Sequence, residues 1–211
     1  MEIREATTGD GDAIRRIARD SMEGSYSLSP RAIEGAITQW YDDETLAEEL
    51  KEEDALFLVA EVEGEVRGFA EGDLVAEGGN GDLLWLHVDP AHRGSGIGTE
   101  LFEHTHEALL DMGATQLRAK VIEDNAEGNA FYEDFGFERV GTDEVEIDDE
   151  SYIENIYMEA GTEEIDVESD TVEEPVRTPD GREMYVNKEH VERGSKAPFF
   201  TVYTDPGFDE S

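Results

Sequence analysis

A glycine-rich segment at residues 93–98 (Arg-Gly-Ser-Gly-Ile-Gly) constrains the fold of this chain more than any other feature. It follows an apolar run at residues 83–88, which is typical of a buried strand, and it precedes a helical pattern that begins at Thr99. The free backbone N–H groups and the positive dipole end of a helix start together bind phosphate. The sequence therefore predicts a strand, a glycine-rich turn that holds a pyrophosphate, and a helix.

The spacing of these glycines excludes two common phosphate loops. A P-loop ends in Gly-Lys-Ser/Thr, whereas Gly98 is followed by Thr99 and Glu100. The dinucleotide fingerprint Gly-x-Gly-x-x-Gly would need a glycine at position 99. The pattern that remains is Arg-x-x-Gly-x-Gly, from Arg93 to Gly98.

This pattern resembles the acetyl-CoA loop of the GNAT superfamily of N-acetyltransferases, which reads Arg/Gln-x-x-Gly-x-Gly/Ala after a strand that ends in a Val-x-Pro turn. Residues 88–90 (Val-Asp-Pro) fit that lead-in. Asn125, Tyr132 and residues 135–137 (Phe-Gly-Phe) then follow in the order and at the distances of the family. The likeness spans residues 1–160.

The resemblance implies acetyl-CoA as cosubstrate and mainly backbone contacts to it. The N–H groups of the loop would hold the pyrophosphate, and the strand before the loop would line the pantetheine arm, with the Val88 N–H as oxyanion donor. Asn125 matches a family position that contacts this arm, and it is equally suited to cap a helix. The predicted cofactor contacts are Leu86, His87, Val88, Arg93, Gly94, Ser95, Gly96, Ile97, Gly98, Thr99 and Asn125.

Acetyl transfer to a primary amine also needs an acid that protonates the departing thiolate. Tyr132 matches the tyrosine that the family commonly uses for this step. A phenol with a pKa near 10 can protonate a thiolate with a pKa near 8.5. The alternative is that Tyr132 only packs beside Phe131 and Phe135.

The general base is less well indicated, because relatives use a carboxylate, a histidine or an ordered water. Asp82, Glu71 and Asp73 lie near predicted strand ends, and His87 lies on the strand itself. In so acidic a chain, any one carboxylate is more often a surface charge than a base. The predicted catalytic residues are Tyr132, Asp82 and His87.

The charge balance is far outside ordinary globular usage, with 55 Asp and Glu against 16 Lys and Arg, a net charge of −39 and a pI of about 4.1. Molar salt screens such self-repulsion, and the carboxylates are spread over the whole chain, so the sequence predicts a salt-adapted protein. The high negative charge argues against nucleic acid as a partner. The chain contains no cysteine, which excludes disulfides and thiolate metal sites.

The sequence predicts a cytoplasmic protein without a membrane segment or a metal site. The first residues are charged, and the longest apolar run, residues 55–60, is too short to span a bilayer. His104 and His106 are two apart on a predicted helix and point to different faces, which does not suit a shared metal.

Hydrophobic periodicity predicts a mixed α/β sheet. The resemblance implies the GNAT form of this fold, a mostly antiparallel sheet flanked by helices. Ser29-Pro30 is a helix start, and Glu63-Gly64-Glu65 joins two strands as a hairpin. Aromatic residues at Tyr26, Trp40 and Tyr41 are candidates for a wall of the acceptor pocket.

Three regions are predicted: an acetyltransferase domain at 1–160, an acidic linker at 161–174 and a small β-rich extension at 175–211, which is a candidate homodimer contact. The partner of the domain is an amine, either a small molecule or a protein amino group. Two alternatives stay open at this point. The fold could serve as a non-catalytic acyl-CoA sensor, or the extension could make the chain a structural partner protein.

Overall fold

The computed structural model describes residues 1–25, 28–52, 55–74 and 79–159, and the backbone of residues 176–177 and 183–184. The chain divides into two units, Met1–Ile165 and Asp166–Ser211. In the second unit, Val176 pairs antiparallel with Met184, and Arg177 pairs with Glu183. The rest of the predicted extension, the predicted linker and Tyr26 lie outside the described residues, so the three-region division and the dimer contact stay predictions.

Seven strands form one mixed sheet in the first unit. Their order is β1-β2-β3-β4-β5-β7-β6, and every neighbouring pair is antiparallel except β4 with β5. The predicted mixed, mostly antiparallel α/β fold is therefore confirmed. The strands are β1 (Glu2–Glu5), β2 (Ala55–Val62), β3 (Glu65–Leu74), β4 (Asn80–Val88), β5 (Gln116–Ile122), β6 (Phe137–Ile147) and β7 (Glu150–Glu159).

Five α-helices flank the sheet: α1 (Gly11–Ser25), α2 (Pro30–Tyr41), α3 (Asp43–Glu49), α4 (Ile97–Asp111) and α5 (Ala126–Asp134). The start of α2 follows the sequence signal, because the Ser29 side chain accepts a hydrogen bond from the Ala32 N–H and Pro30 occupies the first turn. A short 3-10 turn at Pro90–His92, capped by Asp89, separates β4 from the glycine loop. The turn lies where the Val-Asp-Pro lead-in indicated the end of the strand, and only its 3-10 form was not predicted.

The two faces of the sheet are covered by different helices. On one side, here called the α4 face, Leu101 packs with Ala70 of β3, and Phe102 belongs to a cluster with Leu117 and Ala119 of β5. On the other side, here called the α2 face, the Tyr41 ring lies 5.5 Å from Phe69 and 6.1 Å from Trp85. Residues alternate between these faces along each strand, so the register shows which side chains share a face.

The start of α2 is tied to the hairpin between β6 and β7. Asp148 and Asp149 form its turn with φ of 47° and 63°, values that favour glycine, although Asp tolerates them. The Arg31 guanidinium donates hydrogen bonds to both carboxylates, at 2.6 Å and 3.1 Å. These bonds place the start of α2 beside the turn.

Candidate active site

A gap opens in the sheet between β4 and β5. The two strands pair only from Asn80 with Gln116 to Leu83 with Ala119. Beyond that point β4 stays paired with β3 and β5 stays paired with β7. A bulge lies at the same place, because Glu71 is opposite Trp85 while Gly72 is opposite Leu83, which leaves Leu84 as an extra residue. A β-bulge bends its strand, so β4 turns away from β5 there.

Backbone groups of β4 face this gap. The Asp89 N–H donates to the Arg67 carbonyl of β3 at 2.8 Å, and the His87 carbonyl lies 3.0 Å from the position that a Cβ on Gly68 would take. Backbone direction alternates along a strand, so the N–H and C=O groups of Leu86 and Val88 point away from β3. They line the edge of β4 that β5 leaves unpaired.

The glycine loop forms the start of α4 at the end of the gap. Gly94 and Gly96 have φ of 71° and 87°, a region that only glycine enters freely, and Gly96 is the N-cap. A Cβ at either position would meet nothing within 4 Å, so the loop surface is open. The first N–H to bond within the helix is that of Glu100, to the Gly96 carbonyl at 3.1 Å. The N–H groups of the preceding turn are thus available to an anion.

The Arg93 side chain points away from the loop and joins two helices. Its guanidinium donates to the Ser21 hydroxyl of α1 at 3.0 Å and to the Glu127 carboxylate of α5 at 2.8 Å. The Ser95 hydroxyl donates to the His92 carbonyl at 2.5 Å, which closes the loop on itself. Both side chains therefore hold the loop in place and leave anion contact to the backbone.

Asn125 lies directly before α5, the helix that follows β5, and Tyr132 lies on that helix. The Asn125 side chain accepts a hydrogen bond from the Gly128 N–H at 3.0 Å, so its predicted role as N-cap is confirmed. The Tyr132 ring is 6% exposed and lies 5.5 Å from the Phe137 ring and 6.2 Å from the Tyr157 ring. Packing holds this ring in one position.

The two predicted base candidates on β4 have different surroundings. The Asp82 carboxylate accepts two hydrogen bonds from the Arg118 guanidinium, one of 2.9 Å from Nε. His87 is fully buried, with its ring 5.0 Å from that of Phe69 and 5.6 Å from that of Trp85. Burial, with the positive charge of Arg93 as a smaller cause, lowers the pKa of His87 to about 3. This imidazole is neutral at pH 7.

Two buried carboxylates lie on the α2 face, on either side of the gap. Glu71 of β3 shares this face with Phe69, and it is 7% exposed. Burial, then the charges of Asp73 and Glu49, raise its pKa well above the ordinary range. Glu154 of β7 is opposite Ile122, and it is 8% exposed. The sequence analysis missed Glu154, because one glutamate in an acidic strand gives no signal of its burial.

Neither a metal site nor a membrane helix is found among the described residues. No three His, Asp or Glu side chains in those ranges are grouped as metal ligands. No described helix is both long and apolar enough to cross a bilayer.

Comparison with known proteins adds to this geometry. Residues 12–137, more than half of the chain, match the family described as "Acetyltransferase (GNAT) family". The chain belongs to the GNAT family of acetyltransferases. An acetyltransferase of Pectobacterium atrosepticum is 32% identical to it over 128 residues, which are 60% of this chain and 88% of that protein.

Solved structures of GNAT enzymes share the fold. The PaiA N-acetyltransferase from Thermoplasma acidophilum, in complex with coenzyme A, is 27% identical, with a TM-score of 0.62 over 73% of this chain and 96% of that chain. The ribosomal-protein-S18-alanine N-acetyltransferase from Escherichia coli is 22% identical, with a TM-score of 0.57 over 75% of this chain and 92% of that chain. At that identity, the second likeness concerns the fold alone.

We expect Gly96→Glu to abolish binding of coenzyme A, because it places a carboxylate where the diphosphate would lie and strains a backbone with φ of 87°. Gly64→Glu is the matched control, since Gly64 has φ of 82°, lies in the β2–β3 turn and also has open space around it. Calorimetry with coenzyme A in concentrated KCl measures both variants. Equal affinity in the two variants would contradict a phosphate site at Gly96.

Proposed function

We propose that this chain transfers an acetyl group from acetyl-CoA to a primary amine by direct attack of the amine on the thioester. The observation that carries the proposal is the open start of α4 at the end of a gap in the sheet, next to the unpaired edge of β4. The likeness to the PaiA enzyme, which was solved with coenzyme A, supports the same ligand here.

The backbone would bind and orient the donor. The pyrophosphate would lie against the N–H groups of residues 93–99, and the pantetheine arm would follow the edge of β4 along Leu86, His87 and Val88. Asn125, the N-cap of α5 after β5, would contact that arm, as the family resemblance implies. The Val88 N–H faces the gap, and it is suited to donate to the oxygen that gains charge when the amine attacks.

Glu71 is the carboxylate best suited to take the proton from the amine. It lies on the α2 face opposite Trp85, directly beside the bulge, and its surroundings hold the pKa above the ordinary range. The carboxylate of Asp82 is already bound to Arg118, and the imidazole of His87 has a pKa of about 3, so it is a weak base. We therefore favour Glu71 over the two residues on β4.

Tyr132 is proposed as the general acid. When the C–S bond of the tetrahedral intermediate breaks, the thiolate of coenzyme A would take the phenolic proton, and the acetyl group would stay on the amine nitrogen. The packed ring of Tyr132 holds its hydroxyl in a constant position, which such a transfer needs.

Release of free thiol from acetyl-CoA, followed with DTNB in concentrated KCl over a panel of primary amines, tests the proposed function. An enzyme releases thiol in an amine-dependent way. The alternative, an acyl-CoA sensor on the same fold, would bind acetyl-CoA in calorimetry and release none. Mass spectrometry of acetylated species in a cell extract then identifies the acceptor.

Tyr132→Phe keeps the packed ring and removes only the hydroxyl. We expect kcat to fall by about a hundredfold, the usual contribution of a positioned acid, with little change in affinity for coenzyme A. Tyr157→Phe, which removes a hydroxyl bonded to Asn129 and Glu133 in the same aromatic cluster, is the comparison. Wild-type turnover in Tyr132→Phe would remove this residue from the mechanism.

Glu71→Gln should lower kcat by about a hundredfold, because glutamine cannot accept the proton. In the wild type, activity should rise with pH through the raised pKa of Glu71, since the base works only when ionised. Asp73→Asn removes a like charge that helps to raise this pKa, so the rising limb of the pH–rate profile should move to lower pH. A limb that stays in place would exclude Glu71 as the titrating base.

We also propose that the protein is adapted to molar salt. Its net charge is −39, and at 1 M salt the Debye length is about 3 Å against about 10 Å at 0.1 M, so repulsion between surface carboxylates is then screened. The free energy of unfolding, measured by circular dichroism in urea, should be higher at about 1 M KCl than at about 0.1 M KCl. A stability that is equal or higher at 0.1 M would contradict the adaptation.

A further inference from the structure

Glu154 is buried on the α2 face and has an unused acceptor atom. The residue is 8% exposed, and its Oε2 atom has no hydrogen-bond partner among the described residues. Desolvation is the largest cause that raises its pKa, to about 7. A carboxylate taken from water without a partner is costly, so a buried one is usually paired with a cation or a donor.

The positive charge next to Glu154, that of Lys120, is shared with a second carboxylate. Lys120 of β5 lies on the same face, but its ammonium group contacts the Asp143 carboxylate of β6 at 2.7 Å. Asp143 is directly opposite Glu154. The charge of Lys120 lowers the pKa of Glu154, and the charge of Asp143, a smaller effect, raises it. The two carboxylates therefore share the attraction of this lysine, and the group has room for a further cation.

Glu154 is also placed within reach of the reaction centre. Ile122, which pairs with it, lies on the part of β5 that borders the gap. Neighbouring strands are about 4.8 Å apart, so the middle of the gap is at least about 7 Å from β7. Glu71 stands at a similar distance on the opposite side, on β3. A short alkyl chain spans such a distance.

The surroundings favour a small molecule over a protein segment. Tyr152 is two residues from Glu154 on the same face, and its hydroxyl accepts a hydrogen bond from the Ser29 N–H at 3.3 Å. The Ser29 hydroxyl donates to Glu150 at 2.9 Å. These bonds fasten the start of α2 to β7 near Glu154, and a bound small molecule can leave them intact.

We propose that the acceptor is a small aliphatic diamine: one amino group attacks the thioester at the gap, and the second, as an ammonium ion, binds Glu154. The inference rests on the proposed function and adds a class of substrate to it. Glu154 is a specificity-determining residue in this arrangement. Its carboxylate contacts the distal end of the acceptor and takes no part in the proton transfers.

The test compares diamines with monoamines of equal length on the full chain in concentrated KCl. Putrescine and cadaverine are set against butylamine and pentylamine, and thiol release gives kcat and KM for each. A charge-assisted hydrogen bond is worth a factor of about ten or more, so kcat/KM should favour the diamines by at least that factor. In Glu154→Gln the preference should disappear, mainly through a higher KM for the diamines.

Glu144→Gln on β6 is the matched control, because it removes the same charge from an exposed position beside Ile153. This variant should keep the wild-type preference. Turnover of monoamines without a preference for diamines would overturn the inference and leave the proposed function intact, as would a preference that persists in Glu154→Gln. Absence of thiol release with every amine would instead overturn the proposed function, and the inference with it.

Discussion

The divergence of β4 from β5 is the constraint on which the rest of this structure depends. One extra residue, Leu84, ends the parallel pairing at Leu83 and leaves the backbone of Leu86 and Val88 unpaired on that side. Backbone polar groups that lose a ladder partner need another. In the proposed function, a ligand that lies along the gap would supply it, and the start of α4 at the end of the gap would hold its phosphates.

The carboxylates of this acidic chain fall into two classes, according to whether they are buried and which charges surround them. Most of those in the described residues are exposed or held in ion pairs such as Arg4 with Asp10, where the arginine lowers the pKa of Asp10 to about 2. Glu71 and Glu154 are different, because burial raises the pKa of both. Neighbouring acids raise the pKa of Glu71 further, whereas at Glu154 the charge of Lys120 offsets part of the effect of burial. Perturbed pairs of this kind are typical of functional sites, which is why we place acceptor chemistry between them.

Much of the fold could be predicted from the sequence, because local signals mark most element ends. Ser29 and Asn125 cap helices as their residue types indicate, and the hairpin at Glu63-Gly64 joins β2 to β3. The β6–β7 turn was not recognised, since Asp148 and Asp149 replace the usual glycine and owe their conformation in part to Arg31, far away in sequence. The bulge at Leu84 was also not predicted, because it is defined by the pairing of β4 with β3 and not by the residues of β4 alone.

The sequence by itself determined the glycine loop, the order of strands and helices and the family, because these depend on residue types at short spacing. Only the tertiary structure decided which acidic side chains are buried. Asp82 of β4 binds Arg118 of the neighbouring strand β5, while Glu154 of β7 is buried on the α2 face. Burial and charge pairing arise from contacts between distant segments, and for that reason no local pattern could distinguish these carboxylates from the solvated ones.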